Sequence, residues 1–113
     1  MRVVELAGPS DDDFLHTARV VAVSLGSQAG LDADSCDEIR VAVDEACGAL
    51  RMAGCARLLI SFNLHDHIEV TVRSSSPQPF TLDMPSRLVM SALMDRLDVD
   101  GQDGSIHLVK RLG

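Results

Sequence analysis

The chain has 113 residues, of which 46% are hydrophobic and 24% charged, the balance of one ordinary globular domain with a single core. A formal net charge of −7 and a pI near 4.8 argue against a nucleic-acid surface or an anionic membrane as direct partner, and fit a protein partner carrying a basic patch. Three Phe with neither Trp nor Tyr require an aliphatic core. Cys36, Cys47 and Cys55, odd in number and without C-x-x-C spacing, argue against a disulfide framework, and the lack of a signal-peptide pattern or long apolar run reads as cytoplasmic.

Residues 2–7 have strand composition, and Gly8-Pro9 is expected to break the strand. Ser10 is expected to open a helix with Asp11, Asp12 and Asp13 in its first turn, where carboxylates meet unpaired N–H groups and the positive end of the dipole. Its apolar face runs through Phe14, Ala18, Val21, Ala22, Leu25 and Ala29, and Gly30 ends it. A short connector, 31–34, leads to a second helix over 35–54. There Ser35 and Glu38 form a capping-box pattern, Ile39, Ala42, Val43, Ala46, Leu50 and Ala53 share one face, and Gly54 suits the stop. Two helices joined so briefly predict an antiparallel pair. Glu45 borders the apolar stripe, where a carboxylate is either a solvated flank or a site residue.

Strand patterns follow at 57–64 and 68–73, the second alternating with Ile68, Val70 and Val72 on one face. Between them His65-Asp66-His67 invites a metal reading. A closed zinc site needs four ligands and the sequence offers no obvious second cluster, so the expectation is a polar turn with no metal. Residues 74–87, rich in Ser and Pro, read as a loop. A helix is predicted over 86–97 from Leu88, Val89, Ala92, Leu93, Met94 and Leu97, then a turn at 101–104 and a closing strand over 105–112.

Ile39-Arg-Val-Ala-Val-Asp-Glu-Ala-Cys47 resembles the first ATP-site helix of the anti-sigma-factor serine kinases, small bacterial relatives of histidine-kinase ATPase domains. The resemblance covers the element order of nearly the whole chain. It implies one domain over 1–113 with an α+β fold, a two-layer α/β sandwich whose helices lie on one face of a mixed, mainly antiparallel sheet. In that family the helix carries a catalytic Glu and, one turn later, an Asn that holds Mg²⁺. The matching positions are Glu45 and Ala49, and an alanine has no oxygen for a hard cation. A later Asp-x-Gly-x-Gly segment of the family binds adenine; aligned on Val72-Arg73, its Asp and two Gly positions hold Ser74, Ser76 and Gln78. The helix that follows the loop lacks the family's glycine-rich start, and Gly104-Ser105 stands where a Gly-Gly-Thr leads into the last strand.

The remnant ATP pocket is therefore expected at Glu45, Ala49, Ser74, Ser76, Gly104 and Ser105, with Glu45 catalytic if the site is active. The favoured expectation is a degenerate member that acts by protein–protein binding to a sigma factor or an anti-anti-sigma antagonist, as a possible homodimer, with no cofactor. One alternative is an active serine/threonine kinase of an anti-anti-sigma factor, which would use ATP and Mg²⁺. Another is a non-enzymatic structural or small-ligand-binding module.

Overall fold

The computed structural model describes residues 2–112. Along the chain run β1 (Arg2–Pro9), α1 (Asp12–Gln28), α2 (Ala33–Met52), β2 (Arg57–Leu64), β3 (His67–Ser74), α3 (Met84–Leu93), β4 (Arg96–Asp100) and β5 (Ser105–Arg111). The strands form one sheet in the order β1-β2-β3-β5-β4, and every pairing is antiparallel. The helices cover one face, giving the two-layer α+β sandwich.

Alternation in the strands decides which side chains face the helices. Leu58, Ile60 and Phe62 of β2, Ile68, Val70 and Val72 of β3, and Ile106 and Leu108 of β5 are all buried. Across from them α2 buries Ile39, Ala42, Val43, Ala46 and Leu50 of the expected stripe together with Cys36 and Cys47, whereas Ala53, the C-cap just past the helix, is only half-buried. The core is aliphatic, with Phe62 its largest fully buried side chain. Truncating a side chain as enclosed as Leu50 to alanine costs about 2–5 kcal/mol, because lost transfer energy and a residual cavity add. On α1, Leu15, Ala18, Ala22 and Leu25 are buried, whereas Phe14 is only half-buried.

Several boundaries differ from the sequence expectation. Helix α2 starts two residues earlier, because Asp32 rather than Ser35 is its N-cap: the Asp32 carboxylate accepts the Ser35 N–H at 2.8 Å. Helix α1 is likewise capped by Asp11, which accepts from Phe14 N at 2.8 Å, and not by Ser10. Pro9 does not break β1. It ends the strand at a sheet edge, where a missing N–H costs no ladder bond.

The helix expected over 86–97 is α3, Met84–Leu93, followed by the separate strand β4. Asp83 caps α3 by accepting from Ser86 N at 2.7 Å, which moves the start back into the expected loop. In β4 Arg96, Asp98 and Asp100 are exposed while Leu97 and Val99 are half-buried, the alternation of an edge strand with one solvated face. Lys110 ties this corner together. Its ammonium donates to the Leu93 carbonyl at 2.7 Å, satisfying a free acceptor at the end of α3, and lies 3.4 Å from Glu38 of α2. Arg19 of α1 joins Asp44 of α2 in an ion pair at 2.7 Å.

Candidate functional site

The C-terminal half of α2, the segment between β3 and α3, and the start of α3 enclose a cavity of about 570 Å³. Glu45, Gly48, Ala49 and Met52 come from α2, Phe80, Thr81 and Asp83 from the intervening segment, and Ser86 from the first turn of α3. Glu45 and Ala49 face it together because they are one helical turn apart. Glu45 is half-buried, and the Ser86 hydroxyl donates to its Oε2 at 3.1 Å.

Ser74 and Ser76 line a different depression, of about 320 Å³, with Gly54, Arg57 and Gln78. Gln78 borders this second space and is tied to two elements. Its side-chain amide donates to the Ala53 carbonyl at the end of α2 (2.8 Å), and its backbone N–H donates to the Asp103 carbonyl in the β4–β5 turn (3.2 Å). A further bond, Phe80 N to Gly101 O at 2.8 Å, fastens the same segment to that turn. Gly104 is buried at the foot of Gln78. Its φ of +77° favours glycine, and a Cβ there would lie 2.5 Å from the Gln78 carbonyl oxygen. Ser105 opens β5, paired with Arg73 and Asp100, and lines neither space. The structure thus brings Glu45 and Ala49 together, groups Ser74 with Ser76, and uses Gly104 to seat the segment between them.

Asp83, Ser86, Thr81 and Phe80 were not singled out from the sequence. The spacing of Asp83 and Ser86 is a helix-capping pattern, and it was the only available signal.

The cavity beside Glu45 contains two carboxylates, Glu45 and Asp83, and no lysine or arginine among its lining residues. The N-terminus of α3 could in principle hold an anion on free N–H groups, but the Asp83 carboxylate already occupies that end and Pro85 removes one donor. A magnesium triphosphate needs oxygen ligands for the metal and positive charge or free N–H groups for the phosphates. Ala49 supplies no oxygen and the lining supplies no cation, so these residues do not fit that group.

No family model matches the chain and no curated protein matches it. Among solved structures, it is similar to the crystal structure of the RsbU and RsbW domains of Rv1364c from Mycobacterium tuberculosis. The TM-score is 0.79 at 15% identity, over 99% of this chain and 32% of that one. The likeness is one of fold, and the chain spans about a third of that protein's length. Among the described residues, no helix is long and apolar enough to cross a membrane.

Proposed function

We propose that the chain is a regulatory protein of the partner-switching kind, acting in the cytoplasm by binding another protein, on a scaffold whose nucleotide site does not work as one. The partner class that fits is a sigma factor or its anti-anti-sigma antagonist, and the chain acts without ATP or Mg²⁺. The likeness to the RsbU and RsbW domains supports the scaffold, and the resemblance of residues 39–47 to the anti-sigma kinases supports the partner class. The observation that carries the reading is the lining of the Glu45 cavity: two carboxylates, no cation, and an alanine one turn after the glutamate. Such a cavity repels a triphosphate rather than concentrating it.

The test is calorimetric titration of the purified protein with ATP, with and without Mg²⁺, up to millimolar concentration. No saturable heat and no thermal stabilisation are expected. Saturable binding that tightens with Mg²⁺ would overturn the reading and call for a kinase assay with Glu45→Ala as the control. Co-purification with a sigma factor or an antagonist, unaffected by removal of nucleotide, is the complementary positive result.

A further inference from the structure

At the opposite end of β3 from Ser74, the β2–β3 turn gathers four ionisable side chains. Asp66 Oδ1 is 2.6 Å from His65 Nδ1 and 2.8 Å from His67 Nδ1. Glu69 Oε1 is 2.6 Å from His67 Nε2 and 3.5 Å from His65 Nε2. The two rings stand edge to face with centroids 4.0 Å apart. Each imidazole therefore has one carboxylate at Nδ1 and another at Nε2. Period-two geometry puts Glu69 beside His67 on the same outward face of β3, which supplies the ligand that the His-Asp-His triplet alone lacks.

We propose that this hairpin tip is a transition-metal site: His65 Nε2, His67 Nε2 and Glu69 Oε1 bind one divalent cation of the zinc type, and Asp66 orients both rings by accepting at Nδ1. The spacing supports this set. Tetrahedral ligands about 2.0–2.1 Å from a zinc ion lie roughly 3.3 Å from one another. The two His–Glu separations, 2.6 and 3.5 Å, bracket that value, and a ring nitrogen of each histidine lies within 4.8 Å of one on the other.

Glu69 rather than Asp66 is assigned as the ligand because its side chain is held on a paired strand and is 29% exposed, against 86% for Asp66 on the turn. A carboxylate on the far nitrogen of a ligating histidine is the usual outer partner in zinc sites, and Asp66 provides one for both rings. A second observation lies directly across the ladder. Asn63 is the register partner of Glu69, and its Oδ1 is buried without a hydrogen-bond partner. Side chains opposed in this way are about 5 Å apart, within reach of a water on the open fourth position of the metal. Mixed imidazole and carboxylate donors with an open position suit Zn²⁺, Co²⁺ or Ni²⁺ and disfavour the all-oxygen preference of Mg²⁺ and Ca²⁺.

Competing sites are few. Cys36, Cys47 and Cys55 are buried, and His16 and His107 lie on other elements. The site faces away from the helices and from the Glu45 cavity, so it stands or falls independently of the partner-binding reading.

The experiment is a competition titration of the untagged full-length chain, stripped with a chelator, against a chromophoric zinc chelator, with Co²⁺ spectra as a second readout. The expected result is uptake of one equivalent of Zn²⁺ and visible Co²⁺ bands of a four- or five-coordinate site. Wild-type melting should also rise with added Zn²⁺. His65→Gln, His67→Gln and Glu69→Gln should each abolish stoichiometric uptake, while Asp66→Asn should weaken it by about 10–100-fold. Circular dichroism of each variant without metal controls for folding. Failure of the wild-type chain to take Zn²⁺ from the chelator would overturn the proposal, as would uptake unchanged in the histidine variants. If Asp66→Asn abolished uptake and Glu69→Gln only weakened it, the assignment of ligand and orienting residue would be wrong.

Discussion

The cavity beside Glu45 and the tip of the β2–β3 hairpin make opposite use of carboxylates. The cavity has shape: it is concave, of a size suited to a small molecule, and built from three segments. Yet its charged groups, Glu45 and Asp83, are of one sign, and Asp83 is committed to capping α3. The hairpin tip has little enclosure, but its four ionisable groups converge and alternate in chemistry. The contrast teaches that a location inherited with a fold and the chemistry of a site are separate properties, and each has to be argued from its own residues.

The sharpest way to break the comparison is Gly104→Ala. The new Cβ meets the Gln78 carbonyl at 2.5 Å and sits on a residue with φ of +77°, so overpacking and left-handed strain add. A loss of about 2–4 kcal/mol is expected in urea unfolding. Hydrogen exchange should rise in residues 75–83 before it rises in the hairpin. If both regions loosened equally, Gly104 would be supporting the whole sheet rather than seating residues 75–83 in particular.

A smaller effect is expected from Glu45→Ala. It removes one half-buried hydrogen bond from Ser86, worth about 1 kcal/mol, and should leave partner binding intact. Loss of partner binding with an unchanged melting curve would make the cavity itself part of the interface.

Cys47, fully buried in the core on α2, tests how tightly that helix is packed. Burial pushes its thiol up to about 12, with the Asp44 charge adding to the rise. It should not react with a disulfide reagent at neutral pH except at the rate of unfolding. Rapid labelling would show that α2 opens locally.

The smallest effect is acid dependence at the N-cap of α2. The Ser35 backbone N–H holds the Asp32 carboxyl below the usual range. A depressed folded-state pKa adds stability that is present above the unfolded value and is lost as pH falls through the folded one. Asp32→Asn keeps a capping acceptor at every pH, so the acid limb of its stability profile should be flatter than that of the wild type.

The parts of the fold that could be read from sequence are those with a single periodicity. The α2 stripe from Ile39 to Leu50 and the alternation of Ile68, Val70 and Val72 admit one interpretation each. Strand β4 was hidden because Leu93, Met94 and Leu97 satisfy helical spacing, while Leu97 and Val99 also satisfy alternation. Pairing with β5, a long-range contact, decides between them. The cap of α2 was misplaced because Ser35 with Glu38 and Asp32 with Ser35 are both capping patterns, three residues apart.

At the candidate site, Glu45 and Ala49 were legible as one turn of a helix. The path of residues 75–83 was not, since it depends on bonds from Gln78 and Phe80 to partners far along the chain. Glu69 was legible in principle, two residues beyond His67 on the same face of β3, but only once the strand was taken to begin at His67.

The order of the strands also bears on how the chain folds. Strands β2 and β3 are joined by a tight turn, as are β4 and β5, so these two hairpins and the α1–α2 pair can form from neighbouring sequence. Strand β1 instead pairs with β2 across both long helices, and closing that loop is the costliest entropic step in the topology. Substitutions in β1 are therefore expected to speed unfolding while leaving the folding rate nearly unchanged, the signature of a strand that docks after the rate-limiting barrier.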